Sequence, residues 1–167
     1  MNFTEKEKSI MISAVETFGE RQIVKCIEEL AEFLLAFETF TTTWGKKDEL
    51  IHETVDAIIT VQEVLILFSY GIHTSYIIKS YIIKSEEKSE IVRDAEQLVF
   101  TLAKIVNKTG REKKKLISDA FDMLHDFCDT LFTVLDDIDL RGTATGIKKK
   151  QLARLEKTIE IAKATKE

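Results

Sequence analysis

Ile23-Val24-Lys25-Cys26-Ile27-Glu28-Glu29-Leu30-Ala31-Glu32-Phe33-Leu34-Leu35 is the stretch whose reading decides the fold. Its apolar positions Ile23, Ile27, Leu30, Ala31, Leu34 and Leu35 recur at three- and four-residue spacing, the period of a helix with a buried face. The same helix carries Glu28, Glu29 and Glu32. Carboxylates in an apolar pattern are expensive unless something cationic meets them.

Working outward, the helical period continues through most of the chain. Thr4 and Glu7 form a capping-box pattern ahead of a first helix with Ile10, Met11, Ala14, Val15 and Phe18 on one stripe, and Gly19 breaks it. The second helix is predicted from about Glu20 to Phe37. A polar stretch from Thr41 to Lys47 follows, and Asp48 caps a third helix reaching about Ser69, with Leu50, Ile51, Val55, Ile58, Val61, Leu65 and Phe68 inward. The β-branched and aromatic run from Tyr76 to Ser85 reads as a short helix, although its propensity points partly to strand. Further helices are expected from about Ser89 to Asn107, with Ile91, Ala95, Leu98, Leu102 and Ile105 inward, and from about Lys113 to Asp136. A loop holding Gly142 and Gly146 then leads into a basic last helix over about 147–164. The chain has no proline and only 6 glycines, which fits an all-α protein.

The two halves echo each other. Ile23-Val24-Lys25 through Glu28-Glu29-Leu30 aligns with Ile91-Val92-Arg93 through Glu96-Gln97-Leu98, and Leu34 with Leu102. Leu50-Ile51-His52-Glu53-Thr54-Val55-Asp56 aligns with Leu116-Ile117-Ser118-Asp119-Ala120-Phe121-Asp122, and Leu65 with Leu131. The expectation is a single all-α domain over 1–167. Two tandem, diverged helical hairpins, about 20–70 and about 89–137, build its four-helix core, with helices added at the ends.

Bulk properties narrow the class. The 167 residues are 44% apolar and 32% charged, a globular balance with room for a real core. No apolar run is long enough to span a membrane, and Met1-Asn2-Phe3-Thr4-Glu5-Lys6 lacks a signal-peptide layout, so a cytoplasmic location is expected. The net charge of −5 speaks against general nucleic-acid binding. Cys26 and Cys128, far apart in sequence, read as small buried thiols.

Chemistry concentrates in the first half. Residues three apart share a helix face, which pairs Glu29 with Glu32 and Glu53 with Asp56. Antiparallel packing of the two helices would face the pairs across the hairpin as a four-carboxylate cage. Glu28, roughly 100° around the helix from Glu29, would act from the side as an orienter or a base for water. Four carboxylates in a dry site need a cation, and hard oxygen ligands suit Mg²⁺ or Mn²⁺. The bland alternative is a solvated acidic face.

Glu28-Glu29-Leu30-Ala31-Glu32 followed by Glu53-Thr54-Val55-Asp56 resembles the paired motif of the all-α NTP pyrophosphohydrolases. That superfamily includes the MazG-like enzymes, dimeric dUTPases and dCTPases, and phosphoribosyl-ATP pyrophosphohydrolase. The resemblance covers about Glu20 to Phe68. It implies Mg²⁺-dependent hydrolysis of a nucleoside triphosphate to the monophosphate and pyrophosphate, with Glu29, Glu32, Glu53 and Asp56 as metal ligands and Glu28 assisting. A dUTPase- or dCTPase-like enzyme of narrow base choice is the related alternative. A non-catalytic helical module for oligomerisation or protein binding is the rival from another class.

The second hairpin departs from the motif, with Gln97 opposite Glu29 and Phe100 opposite Glu32. One live site per chain is expected, with the second half as scaffold and a possible part of the base pocket. Among substrate-binding candidates, Lys25 is read as a phosphate contact or, more ordinarily, as the i,i+4 partner of Glu29. Trp44 could stack on a base beside phosphate-contacting Lys46 and Lys47, or simply pack the loop. His52 is expected to point away from the cage, as a solvated or locally bonded histidine. The Lys148-Lys149-Lys150 run reads as an anionic contact patch or a solvated face. A homodimer or higher homo-oligomer is expected, with Tyr76, Ile77, Tyr81 and Ile82 as candidate interface residues.

Overall fold

The structure, a computed structural model, describes residues 2–43, 46–69, 88–139 and 142–165. The expected short helix at 76–85, its four interface candidates and Trp44 lie outside these residues. Among the described residues all regular structure is helical: α1 (Glu5–Phe18), α2 (Arg21–Thr43), α3 (Lys47–Ser69), α4 (Lys88–Val106), α5 (Gly110–Ile138) and α6 (Thr143–Ala164). No helix among them is long and apolar enough to cross a membrane.

Local chemistry explains the boundaries. The capping box at the start of α1 forms as the sequence requires: Thr4 N–H donates to Glu7 at 2.7 Å and Glu7 N–H to Thr4 Oγ1 at 3.3 Å. Gly19, at φ +55°, ends that helix in a conformation costly to residues with a Cβ. α2 runs to Thr43, beyond the expected end near Phe37. The Thr39 and Thr42 hydroxyls donate to the carbonyls of Leu35 and Glu38, one turn back, so polar residues continue the helix. α6 likewise starts before Ile147. The Asp139 carboxylate accepts the N–H groups of Thr143 and Ala144, both at 2.8 Å, and Gly146 falls inside the helix.

α2, α3, α5 and α4 close a four-membered ring of packed neighbours: α2 on α3, α3 on α5, α5 on α4, and α4 on α2. α1 and α6 pack on each other and both lie against α3. α3 is therefore surrounded, and residues on nearly every side of it are buried, from Leu50 and Ile51 to Leu65 and Phe68. The inward positions expected for α3 and α4 are all buried. α2 differs. Ile23, Cys26, Leu30, Phe33, Ala36 and Phe37 form its core face, so the expected Ile23 and Leu30 are buried, whereas Ala31 is exposed and Leu35 is 67% exposed. Phe33 fixes that face by an edge contact with Phe127 of α5, ring centres 6.1 Å apart.

Lys148 is not part of a solvated basic face. It is buried, donating to the Asn2 carbonyl at 2.6 Å and to Glu7 Oε2 at 3.0 Å, which ties α6 to the start of α1. Lys149 and Lys150 are exposed. Both cysteines are free and buried, as expected. Gln62 donates to the Cys128 sulfur at 3.0 Å.

Candidate metal centre

Antiparallel packing of α2 on α3 across the short 44–46 connection brings the two acidic clusters together. One carboxylate oxygen from each of Glu29, Glu32 and Glu53 lies within 4.8 Å of the others. Glu29 is buried, Glu53 half-buried and Glu32 exposed, so the group spans from the helix interface to solvent. Asp56 does not complete this group. It joins a second one, with His52 and Glu53, whose ligand atoms also lie within 4.8 Å. The arrangement is thus two triads sharing Glu53, rather than one cage of four carboxylates.

His52 corrects an expectation. It faces the acids, with Nδ1 3.4 Å from Asp56 and 3.8 Å from Glu53. Asp56 is its i,i+4 neighbour, so the two share a helix face, and the swing of the imidazole also brings it near the adjacent Glu53. Gln151 on α6 adds a contact from across the fold, donating from Nε2 to Asp56 Oδ2 at 2.8 Å.

Lys25 forms an ion pair with Glu29 and lies 3.9 Å from Glu28. Burial works against the ammonium, but the hydrogen bond and charge of Glu29 outweigh it and raise the Lys25 pKa. Glu28 is largely exposed and outside both triads. Lys46 pairs with Glu49 at 2.9 Å on the exposed start of α3, and Lys47 is that helix's half-buried first residue.

Electrostatics mark the group as short of positive charge. Burial lifts the Glu53 carboxyl; His52 offsets part of this, and the charges of Glu32 and Glu29 add to it. Burial and the Glu29 charge push Asp56 up to about 7, against the pull of His52. Glu63 lies deeper still, outside both triads. It is 2% exposed, its Oε1 has no hydrogen-bond partner, and burial followed by the Glu29 charge pushes it up to about 8. Sequence reasoning missed Glu63. Its signal was an acid seven residues after Asp56, on the same helix face, among the apolar residues Ile58, Ile59, Val61, Val64 and Leu65.

The residues aligned with the acidic motifs, Gln97 and Phe100 on α4 and Asp119 and Asp122 on α5, are open to solvent. A cavity of about 150 Å³ lies between these helices, lined by Asp94, Gln97, Met123, Asp126, Phe127 and Thr130. It is smaller than ligand pockets of roughly 300 Å³ or more, and no member of the acidic triads lines it. The buried acids therefore mark the better candidate for chemistry. No protein-family model, curated protein or solved structure matches this chain.

Proposed function

We propose that the chain is a Mg²⁺-dependent nucleoside triphosphate pyrophosphohydrolase that hydrolyses an NTP or dNTP to the monophosphate and pyrophosphate. The observation that carries this reading is the convergence of Glu29, Glu32 and Glu53 within 4.8 Å. It joins the residues of two separate sequence motifs at one point. The donor set is hard oxygen, suited to Mg²⁺ or Mn²⁺.

In this reading Glu29, Glu32 and Glu53 hold the metal, and Asp56, which shares the second triad with Glu53, offers a further ligand oxygen beside them. The ion, when bound, supplies the positive charge a polyphosphate needs and acidifies a bound water. Glu28, outside the triads and open to solvent, takes the proton of the attacking water. Lys25, paired with Glu29 in this structure, would be the phosphate contact if Glu29 held a metal. Lys46 and Lys47 flank the same end of α3 as further phosphate contacts, with Trp44 as a base-stacking residue. A narrow base choice of the dUTPase or dCTPase kind is the finer form of the proposal, and a cytoplasmic nucleotide pool its setting. A homodimer or higher homo-oligomer is the proposed working form.

A panel of NTPs and dNTPs with Mg²⁺ tests the proposal. Pyrophosphate release that is lost in Glu32→Gln and Asp56→Asn supports it. Absence of release from every nucleotide would reject it in favour of a non-catalytic helical interaction module.

A further inference from the structure

The C-terminal helix reaches the acidic centre at a point no motif announces. Asp56 Oδ2 accepts a hydrogen bond from Gln151 Nε2 at 2.8 Å and lies 3.4 Å from His52 Nδ1. Gln151 Nε2 also lies 3.4 Å from His52 Nε2. The three side chains close a small ring of contacts, in which the direct hydrogen bond to Asp56 comes from Gln151 and His52 Nδ1 stands within ion-pair range of the same oxygen. With Nε2 of His52 accepting from the Gln151 amide, the imidazole proton sits on Nδ1, the side that faces Asp56. Both contacts to Asp56 fall on the same oxygen, so Oδ1 stays outside the ring.

The amide is delivered by a fixed arm. Lys148, one turn before Gln151 on the same face of α6, is buried and gripped by the Asn2 carbonyl and Glu7. Leu152, the next residue after Gln151, is also buried. α6 packs against both α1 and α3. Its placement is therefore set by burial and a buried lysine, independently of the contact with Asp56.

We propose that Gln151 is a positioning residue for the metal centre: its amide, with His52, clamps one oxygen of Asp56 so that the other is presented to a cation. The inference rests on the metal-binding reading above. An aspartate that is free to rotate must be ordered when a cation binds, and a clamped one is ordered beforehand. The clamp also makes α6 part of the site, although the acidic motifs lie wholly on α2 and α3.

Mn²⁺ titration of the full-length protein, by calorimetry or by the electron paramagnetic resonance of free Mn²⁺, is the test. Gln151→Met keeps the length of the side chain and removes the donor; it should weaken Mn²⁺ binding by about tenfold or more. In an Asp56→Asn background the same change should alter the residual affinity by less than about twofold, because the two residues act as a unit. Ring-nitrogen NMR of the metal-free protein should show His52 protonated on Nδ1, and Gln151→Met should move the proton toward Nε2. Gln151→Asn, one methylene too short to reach, carries the same expectations if the methionine variant fails to fold. Mn²⁺ binding by wild type that is unchanged in the Gln151 variants, or weakened equally with and without Asp56, would overturn the positioning role and leave the metal site standing. A wild type that binds no Mn²⁺ would overturn both.

Discussion

Replacing Glu63 with glutamine should make the metal-free protein more stable, and increasingly so as pH rises. The wild-type carboxyl is buried beside Glu29 and holds its proton up to about pH 8, whereas the ordinary value is 4.5. A raised pKa means that folding favours the neutral acid. Below the unfolded value both states are protonated and the group imposes no penalty. Between that value and about 8 the unfolded chain ionises while the folded one does not, so native stability falls as pH rises. The loss amounts to about 1.4 kcal/mol per pH unit for one such group. From about pH 6 to about pH 8 the stability gained by Glu63→Gln should therefore grow by on the order of 2 kcal/mol. Any fixed cost of burying the amide cancels in this comparison, because only the pH dependence is read. The assay is urea unfolding of both proteins in EDTA at several pH values. Parallel stability curves would refute the reasoning, because they would mean that Glu63 ionises as readily in the folded protein as in the unfolded chain.

Other consequences follow from the same contacts. Saturating Mg²⁺ or Mn²⁺ should raise the melting temperature, with about 2.7 kcal/mol gained at a hundredfold excess over Kd, and Glu32→Gln should remove most of that gain in a thermal melt. Lys25→Met removes the ammonium that competes for Glu29, so Mn²⁺ should bind several-fold more tightly in calorimetry; weaker binding would contradict the view of Lys25 as a displaceable counter-cation. Lys148→Met should cost about 3 kcal/mol in chemical denaturation, because it strips the partly buried Glu7 carboxylate of its cation and loosens α6 from α1; a cost near zero would show that the clasp is dispensable.

The sequence was most readable where one face of a helix meets one neighbour. In α4 the spacing of Ile91, Ala95, Leu98, Leu102 and Ile105 identified the buried stripe outright. α2 was harder because it packs against both α3 and α4, and its run of apolar residues allowed more than one choice of face. Phe33 and Phe37 went inward, Leu35 outward, and only the packing partners decide that. Glycine and threonine misled at helix ends for the opposite reason. Gly146 looks like a loop residue in sequence, but the Asp139 carboxylate four residues upstream of Thr143 caps α6 ahead of it, and Thr42 looks like a helix end, but its hydroxyl bonds back to the Glu38 carbonyl within α2.

In the acidic centre, i,i+3 spacing made the pairing of Glu29 with Glu32 legible, and the hairpin made their approach to Glu53 legible as well. The separation of Asp56 into its own triad was not, because Gln151 lies 95 residues further along the chain. Adjacency to Glu53 predicts a His52 that points away, but its i,i+4 relation to Asp56 is equally legible in the sequence and is the one the structure follows. The likeness between the two halves accords with the ring of α2, α3, α5 and α4, but shared apolar spacing alone would produce a similar ring.

The most direct measurement is the identity of the products. Phosphorus NMR of purified protein incubated with each nucleoside triphosphate and Mg²⁺ should show the monophosphate and pyrophosphate appearing together, for at least one base, and neither in EDTA. Orthophosphate and a diphosphate would contradict the assignment by placing the attack at the wrong phosphorus. An unchanged spectrum for every nucleotide would contradict the enzyme itself.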